Sequence, residues 1–372
     1  MKKLHAALIF TGIILPVVAM GDQASILSNS FKYAGYLDGS FNYLVRSNRF
    51  TSGTFDRVFD LEPNGFTLQQ AAITLSDQPT EGFGALVNII GGRDANTVAA
   101  YGWNPYFGSQ TLALDPTQVY IQYVYHALTV IAGKFVETAG EEVIDPTQNT
   151  NFSRAILDGY AEPFTFMGVR GTYTLNDKIS LLAGVNNGWD NIRDTSRRKT
   201  AELGVTYIPN TLFSVATVFY SGGQRATDRA ATGRESIRNL LDIIATYNAT
   251  NKLTFIANYD YGNQTLATLA STQVGEAVWQ GLAGYANYKL NDQWRTSLRG
   301  EVFGDRNGYR TGLNQCWKEL TITFAYAPIK NVELRAETRH DFSNASAFVN
   351  GNGHGSNHNQ QSYGLEGYYK FG

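Results

Sequence analysis

Polar and apolar residues alternate along most of this chain with a period of two. In KNVELRAETRHDF, residues 330–342, one register holds Val332, Leu334, Ala336, Thr338, His340 and Phe342, and the other holds Glu333, Arg335, Glu337, Arg339 and Asp341. A period of two places these sets on opposite faces of a β-strand, one mostly apolar and one charged throughout. The same design recurs in Ile179, Leu181, Ala183, Val185 against Ser180, Leu182, Gly184, Asn186, and in Ala201, Leu203, Val205, Tyr207 against Thr200, Glu202, Gly204, Thr206. It returns at Phe255–Tyr261 and Leu320–Tyr326. Each segment runs for about ten residues, the length a tilted strand needs to cross a bilayer core.

The pattern predicts sixteen strands, at 32–46, 65–78, 82–91, 116–126, 127–137, 164–175, 177–187, 198–208, 211–222, 238–249, 251–261, 278–290, 292–304, 315–327, 330–342 and 361–371. Connections alternate between short turns (SDQPTEG, LNDK, IPNT, NATNK, LNDQ, APIKN) and long loops (47–64, 92–115, 138–163, 188–197, 223–237, 262–277, 305–314, 343–360). An even strand count with short turns at one end and long loops at the other predicts an all-β fold, a transmembrane antiparallel barrel with short periplasmic turns and long extracellular loops. A soluble β-sandwich would also alternate, but a chain of this length would split into two or three such domains, and no Pro- or Ser-rich linker divides it. The C-terminal QSYGLEGYYKFG carries Tyr363, Leu365, Tyr369 and Phe371 on one face and resembles the terminal strand of outer-membrane barrels.

At the other end, Lys2 and Lys3 precede an apolar run, Ala6 to Ala19, and small residues at Ala19 and Gly21 suit cleavage before Asp22. Residues 1–21 therefore read as an export signal and 22–372 as one barrel domain. No later apolar run is long enough for a membrane helix. Loss of Lys2 and Lys3 shifts the formal charge from −2 to −4. That balance favours neither nucleic acid nor an anionic membrane surface as partner. Cys316 is the single cysteine, which precludes an internal disulfide and suits a tolerated, partly buried thiol.

Because an Arg or Lys facing lipid at the midplane costs about 2–4 kcal/mol, the charged face must point inward. The same register places Asp38, Lys134, Arg170, Glu202, Asp242, Asp260, Arg295, Arg299, Glu301 and Glu319 inside. Sixteen strands enclose a lumen wide enough for water, in which these charges are expected to stay solvated. Arg295, Arg299, Arg335 and Arg339 then form a basic stripe. The longest loop, 138–163, carries Glu141, Glu142, Asp145, Asp158 and Glu162, and if it folds inward these acids face the stripe across a narrowed pore. A second reading takes the interleaved Glu301, Glu319, Glu333 and Glu337 as partners of the arginines in a cross-strand ion-pair ladder. The pore-lining and constriction candidates are Arg170, Arg295, Arg299, Arg335, Arg339, Glu333, Glu337, Glu141, Glu142 and Asp145.

The stretches 47–75, 91–105, 133–173 and 184–207 resemble the outer-membrane β-barrel porins described as OmpL-like, over nearly the whole mature chain. The most specific block runs from GKF at 133 through Asn149, Asn151, Ser153 and Arg154 to Pro163 and GVRGTY. This resemblance implies a bacterial outer-membrane porin, monomeric or homo-oligomeric, that passes small hydrophilic solutes and ions, with membrane lipid and the barrel-assembly machinery as partners and no cofactor. A barrel with a closed lumen and a structural or adhesive role is the alternative. No nucleotide-binding, metalloprotease or serine-hydrolase motif occurs. His340 lies in the outward register, where a serine partner would mark a hydrolase. His354 and His358 sit in a Gly- and Asn-rich loop without the periodicity that would pair them on a metal.

Overall fold

The structure, a computed structural model, describes residues 31–45, 57–104, 113–194, 196–224, 235–271, 273–349 and 355–372. The expected export signal and His354 lie outside them. The strands are β1 Phe31–Leu44, β2 Gly65–Asp77, β3 Gly82–Gly92, β4 Ala113–Tyr125, β5 Leu128–Val136, β6 Thr165–Asn176, β7 Ile179–Asn186 and β8 Thr200–Tyr207. They continue as β9 Phe213–Gln224, β10 Ser236–Asn248, β11 Leu253–Thr268, β12 Val274–Lys289, β13 Trp294–Asp305, β14 Gln315–Ile329 and β15 Val332–Ser343. A two-stranded flap, β16 Phe348–Val349 with β17 Gly355–Asn357, precedes the closing strand β18 Asn359–Phe371.

Sixteen of these strands form one closed antiparallel barrel in chain order, sealed where β18 pairs with both β15 and β1. Each dyad segment in the sequence corresponds to one of them. Closure leaves no sheet edge, so every strand's main-chain groups have a neighbour to bond. The short turns have a local cause. Asn176, Asn210 and Asn291 each accept two main-chain N–H bonds, from Lys178 and Ile179, Leu212 and Phe213, and Gln293 and Trp294. A short amide side chain that reaches its own main chain two or three residues on is what lets Asn reverse a strand.

The outward register is apolar: Leu37, Ile121, Val185, Leu203, Leu298, Leu320, Leu334 and Leu365 are all exposed. Aromatic side chains flank this band near the short-turn end, where Tyr33, Tyr173, Tyr207, Tyr247, Trp294 and Tyr369 are exposed, as expected of the girdles that mark a bilayer interface. Buried side chains lie on the inner face, where Asp38, Arg170, Glu202, Asp242, Asp260, Arg299, Glu301 and Glu319 all point. Lys134 is buried on an ion pair with Asp115.

Two expectations differ from the fold. The 262–277 loop is mostly strand, because β11 and β12 continue past the apolar band and alternate without needing apolar residues there. The 92–115 segment carries a short helix, α1 Arg93–Thr97, that folds onto β2, where the Gln70 amide donates to Asp94 (2.9 Å). Leu298, outward at mid-strand on β13, provides a test: Leu298→Arg should lower folding stability in vesicles by about 2–4 kcal/mol, and an unchanged denaturant midpoint would place that face away from lipid.

Candidate functional site

Residues 138–163 fold into the lumen and lie on its charged wall. The expectation that acids on the loop would face the arginines across water is corrected: loop and wall are in contact, and the charges are buried rather than solvated. Arg299 is 0 % and Arg339 1 % exposed. The reason is main-chain chemistry. A loop inside a barrel has carbonyls and N–H groups with no strand partner, and leaving them unpaired would cost about 1–3 kcal/mol each.

The stripe supplies the donors. Arg335 donates to the carbonyls of Pro146, Asn149 and Asn151 (3.1, 2.7 and 3.1 Å), Arg295 to Thr150 (2.7 Å), Arg299 to Ser153 (2.7 Å) and Arg339 to Arg154 (2.5 Å). The intervening acids supply acceptors. Glu337 takes the N–H groups of Phe152 and Ser153 (2.8 and 3.0 Å), and Glu301 those of Ile156 and Leu157 (both 2.6 Å). Alternating Arg and Glu at period two is therefore a template that reads the loop's main chain.

The arginines are also paired with one another's acids. Arg295 and Arg335 share Glu333 (2.5 and 2.7 Å), Arg335 meets Glu366 (2.9 Å), Arg299 meets Glu319 (2.8 Å) and Arg339 meets Asp341 (2.8 Å). From the loop, Glu142 reaches Arg299 (2.5 Å) and accepts the Ala155 N–H (2.7 Å). Asp145 does not join the stripe: it caps the Pro146–Gln148 turn by accepting from Thr147 N–H (2.9 Å). Arg170, on β6 and apart from the stripe on β13 and β15, forms a two-pronged pair with Glu202 (3.0 and 2.7 Å) and lies over the Phe135 ring.

Glu141 turns toward β11, its N–H donating to Asn258 (2.9 Å). Burial, and next the Glu142 charge, push its carboxyl up to about 8, and burial raises the loop's Asp158 to about 7.

Sequence reasoning missed the glycines that seat the loop. A Cβ on Gly281 would lie 2.5 Å from Leu157, and one on Gly364 would lie 2.6 Å from the Phe152 ring, so two wall glycines accept two apolar loop side chains. It also missed Arg57, which bonds Asp341 and Ser362 from the first long loop (2.7 and 2.8 Å), and Asp190, which accepts the Phe164 and Thr165 N–H groups where the loop re-enters β6 (2.8 and 2.9 Å). Neither has a sequence signal, since each partner is distant in the chain. Cys316 is half-buried and free.

Away from the stripe, a solvent recess runs along the short-turn half of β6–β10. It is lined by Thr172, Leu182, Thr206, Ser214 and Thr246, with Thr138 of the loop at its edge. Thr138 bonds the Tyr220 hydroxyl (3.1 Å) and Glu202 (3.3 Å), tying the loop to this wall as well. On the outer face, His340 contacts Gln361 (2.8 Å), whose amide donates to the Thr338 hydroxyl (2.8 Å) and the Ser362 carbonyl (3.3 Å).

A sixteen-stranded barrel with an apolar perimeter, aromatic girdle, charged interior and a long loop folded inside is the architecture of an outer-membrane porin. The family model "Putative beta-barrel porin-2, OmpL-like" matches residues 30–371, and the chain belongs to that family. It is an outer-membrane porin, a channel for passive diffusion in the bacterial outer membrane. No curated protein matches the sequence. Among solved structures it is similar to the outer membrane channel DcaP of Acinetobacter baumannii (13 % identity, TM-score 0.62, 94 % of this chain and 100 % of that one). It is also similar to an anion-selective porin from Comamonas acidovorans (8 %, 0.60, 92 % and 99 %) and to the trimer form of OmpT from Vibrio cholerae (11 %, 0.57, 92 % and 99 %). Identities this low speak to the fold alone.

Two predictions follow from the loop's anchoring. Arg299→Ala leaves Glu142 buried without its cation and Glu319 with only Arg339 at 3.7 Å, and should lower stability by about 3–5 kcal/mol, read from urea unfolding. For Glu141 the folded pKa lies above the value near 4.3 expected of an unfolded chain, so the folded state binds more protons and stability falls as pH rises towards and through about 8. The melting midpoint should therefore drop between pH 6 and 9, and Glu141→Gln should flatten that slope.

Proposed function

We propose that the barrel is a narrow diffusion channel for small hydrophilic solutes and ions, in which residues 138–163 set the width. The observation that carries this reading is the fastening of the loop's main chain to the Arg–Glu stripe. A loop held by so many charge-assisted bonds is a fixed wall of the conduit rather than a mobile lid. The free path then runs past Thr138 along the hydroxyl-rich face of β6–β10, on the side of the loop away from the stripe.

In this reading Arg299, Arg335, Arg339, Glu337 and Glu142 act as anchors that shape the constriction without touching solute. Arg295 and Glu333, which retain partial exposure, border the aqueous space and bias which solutes pass, whereas Arg170 and Glu202 are buried against each other and brace the wall behind it. Solutes cross by alignment in a mixed field rather than by binding to a single charge. No catalysis and no cofactor are part of this reading. The trimer form of OmpT supports a homo-oligomeric state in the membrane for this chain too.

A second reading has one observation in its favour. Inward side chains at mid-height, such as Tyr220, Leu240, Asp242, Ala283 and Thr321, are almost all buried, which favours a barrel closed at rest with a structural or adhesive role carried by its loops.

Planar-bilayer recording separates the two. The intact chain should give small, discrete conductance steps, and replacing residues 144–160 with a short Gly-Ser linker should raise the step several-fold and widen the sugar cut-off in liposome swelling. An intact chain that is silent while the loop-deleted form conducts would mark the closed barrel; equal steps from both would remove the loop from any role in the path.

A further inference from the structure

The stripe gives its acids arginine partners, but a second cluster of carboxylates in the lumen has none. Glu319, Glu333, Asp341 and Glu366 each lie within 4 Å of an arginine. Glu162, Asp242 and Asp260 have no basic side chain in ion-pair range among the described residues. One carboxylate oxygen from each of the three lies within 4.8 Å of the others. They are 3 %, 1 % and 0 % exposed.

Four of their oxygens are also without donors. Asp242 Oδ2 accepts the Asn258 amide (2.6 Å), but Asp242 Oδ1, both oxygens of Asp260 and Glu162 Oε1 meet no hydrogen-bond donor. Asp260 is the decisive member, a fully buried side chain aimed between the other two with neither oxygen partnered. Three like charges sharing so small a volume out of water must be neutralised by bound protons or by a cation. Four unpartnered oxygens on three adjoining side chains make a donor set that a cation can use in place of protons shared between neighbouring carboxyls.

We propose that Glu162, Asp242 and Asp260 bind a hard divalent cation of the calcium class, which clasps the base of the lumen loop to β10 and β11. All donors are oxygen, with no nitrogen or sulfur, the set that favours calcium or magnesium over zinc or copper. The three sit at the right place for a clasp. Asp242 and Asp260 face each other across the β10–β11 pair, and Glu162 is at the end of the loop where it returns to the wall. The loop's outgoing limb meets the same spot, since Glu141 N–H bonds Asn258 and Gly140, at φ 89°, leaves the space that the Glu162 carboxylate occupies. The nearest solvent space is the recess at Thr138, which is lined by Val218 and Ile244, and Val218 is the cross-strand partner of Asp242.

The site also carries its own reporter. Trp279 donates its indole N–H to the carbonyl of Ala161 (3.1 Å), the residue next to Glu162, so terbium bound by the three carboxylates lies within reach of tryptophan-sensitised emission. The full chain, folded in detergent and freed of metal with EDTA, should show saturable terbium luminescence with one site per chain, displaced by calcium. Asp260→Asn and Glu162→Gln should each weaken that affinity at least tenfold while the barrel remains folded, as judged by heat-modifiable migration. These changes remove repulsion and preserve shape, and Glu162→Gln lies outside the barrel strands, so one of the two is available even where the other fails to assemble. Luminescence no greater than that of the Asp242→Asn/Asp260→Asn variant, or unaffected by calcium, would overturn the proposal and leave shared protons as the neutralising agent.

A second readout rests on the channel reading. EDTA should raise the open-channel noise of the wild type, and Glu162→Gln should be noisy with or without EDTA. Chelator-insensitive wild-type currents would remove the clasp. A barrel silent in every form would count against the channel reading, with the luminescence still deciding the site.

Discussion

The constraint on which this structure depends is that a main-chain polar group removed from water must find a partner. In the wall, closure of sixteen strands meets it. Inside the wall the same demand falls on residues 138–163, which have no strand to pair with. There it is met by side chains: arginines for the carbonyls and glutamates for the N–H groups. The strongly alternating charges of β13 and β15 are thus a template for a particular length of backbone, held at 2.5–3.1 Å along its course.

This explains why the charges are buried. An arginine in an open aqueous lumen has little reason to be rigid, and an exposed ion pair contributes at most about 1 kcal/mol. An arginine that must serve both an acid on the wall and a carbonyl on the loop is fixed twice. Arg335 reaches Glu333 and Glu366 with part of its guanidinium and the loop with the rest, and its flat face lies 5.0 Å from the Tyr368 ring. A lysine, with its three donors on a single nitrogen, could not span these partners on opposite edges of a planar fork. Gly281 and Gly364 complete the arrangement by leaving room for Leu157 and Phe152, so that the loop is held by shape as well as by charge.

The uneven distribution of charge around the lumen gives the two walls different parts. The β13–β15 side is committed to the loop. The β6–β10 side, with threonines, serines and small residues toward the short turns, carries the recess at Thr138. Between them lies the acidic trio on β10, β11 and the loop's end, where three carboxylates meet without a basic side chain in ion-pair range among the described residues.

The strands, their inward and outward faces and the order of short and long connections were legible in the sequence, because a period of two against lipid on one side leaves each residue a single permitted direction; the porin class came from the resemblance carried by stretches such as 133–173. That register also placed Arg299, Arg335 and Glu337 on the inner face. What the acids and arginines do there was decided only by the tertiary structure. Whether a lumen charge is solvated or buried depends on where 138–163 goes, and that loop has no periodicity of its own. Glu142 on Arg299, Asp145 turned aside as a cap, Leu157 on Gly281, and Glu162 beside Asp242 and Asp260 are all contacts between residues far apart in the chain. They exist because closing the barrel brings opposite walls within one loop's reach of each other, a distance that no local pattern encodes.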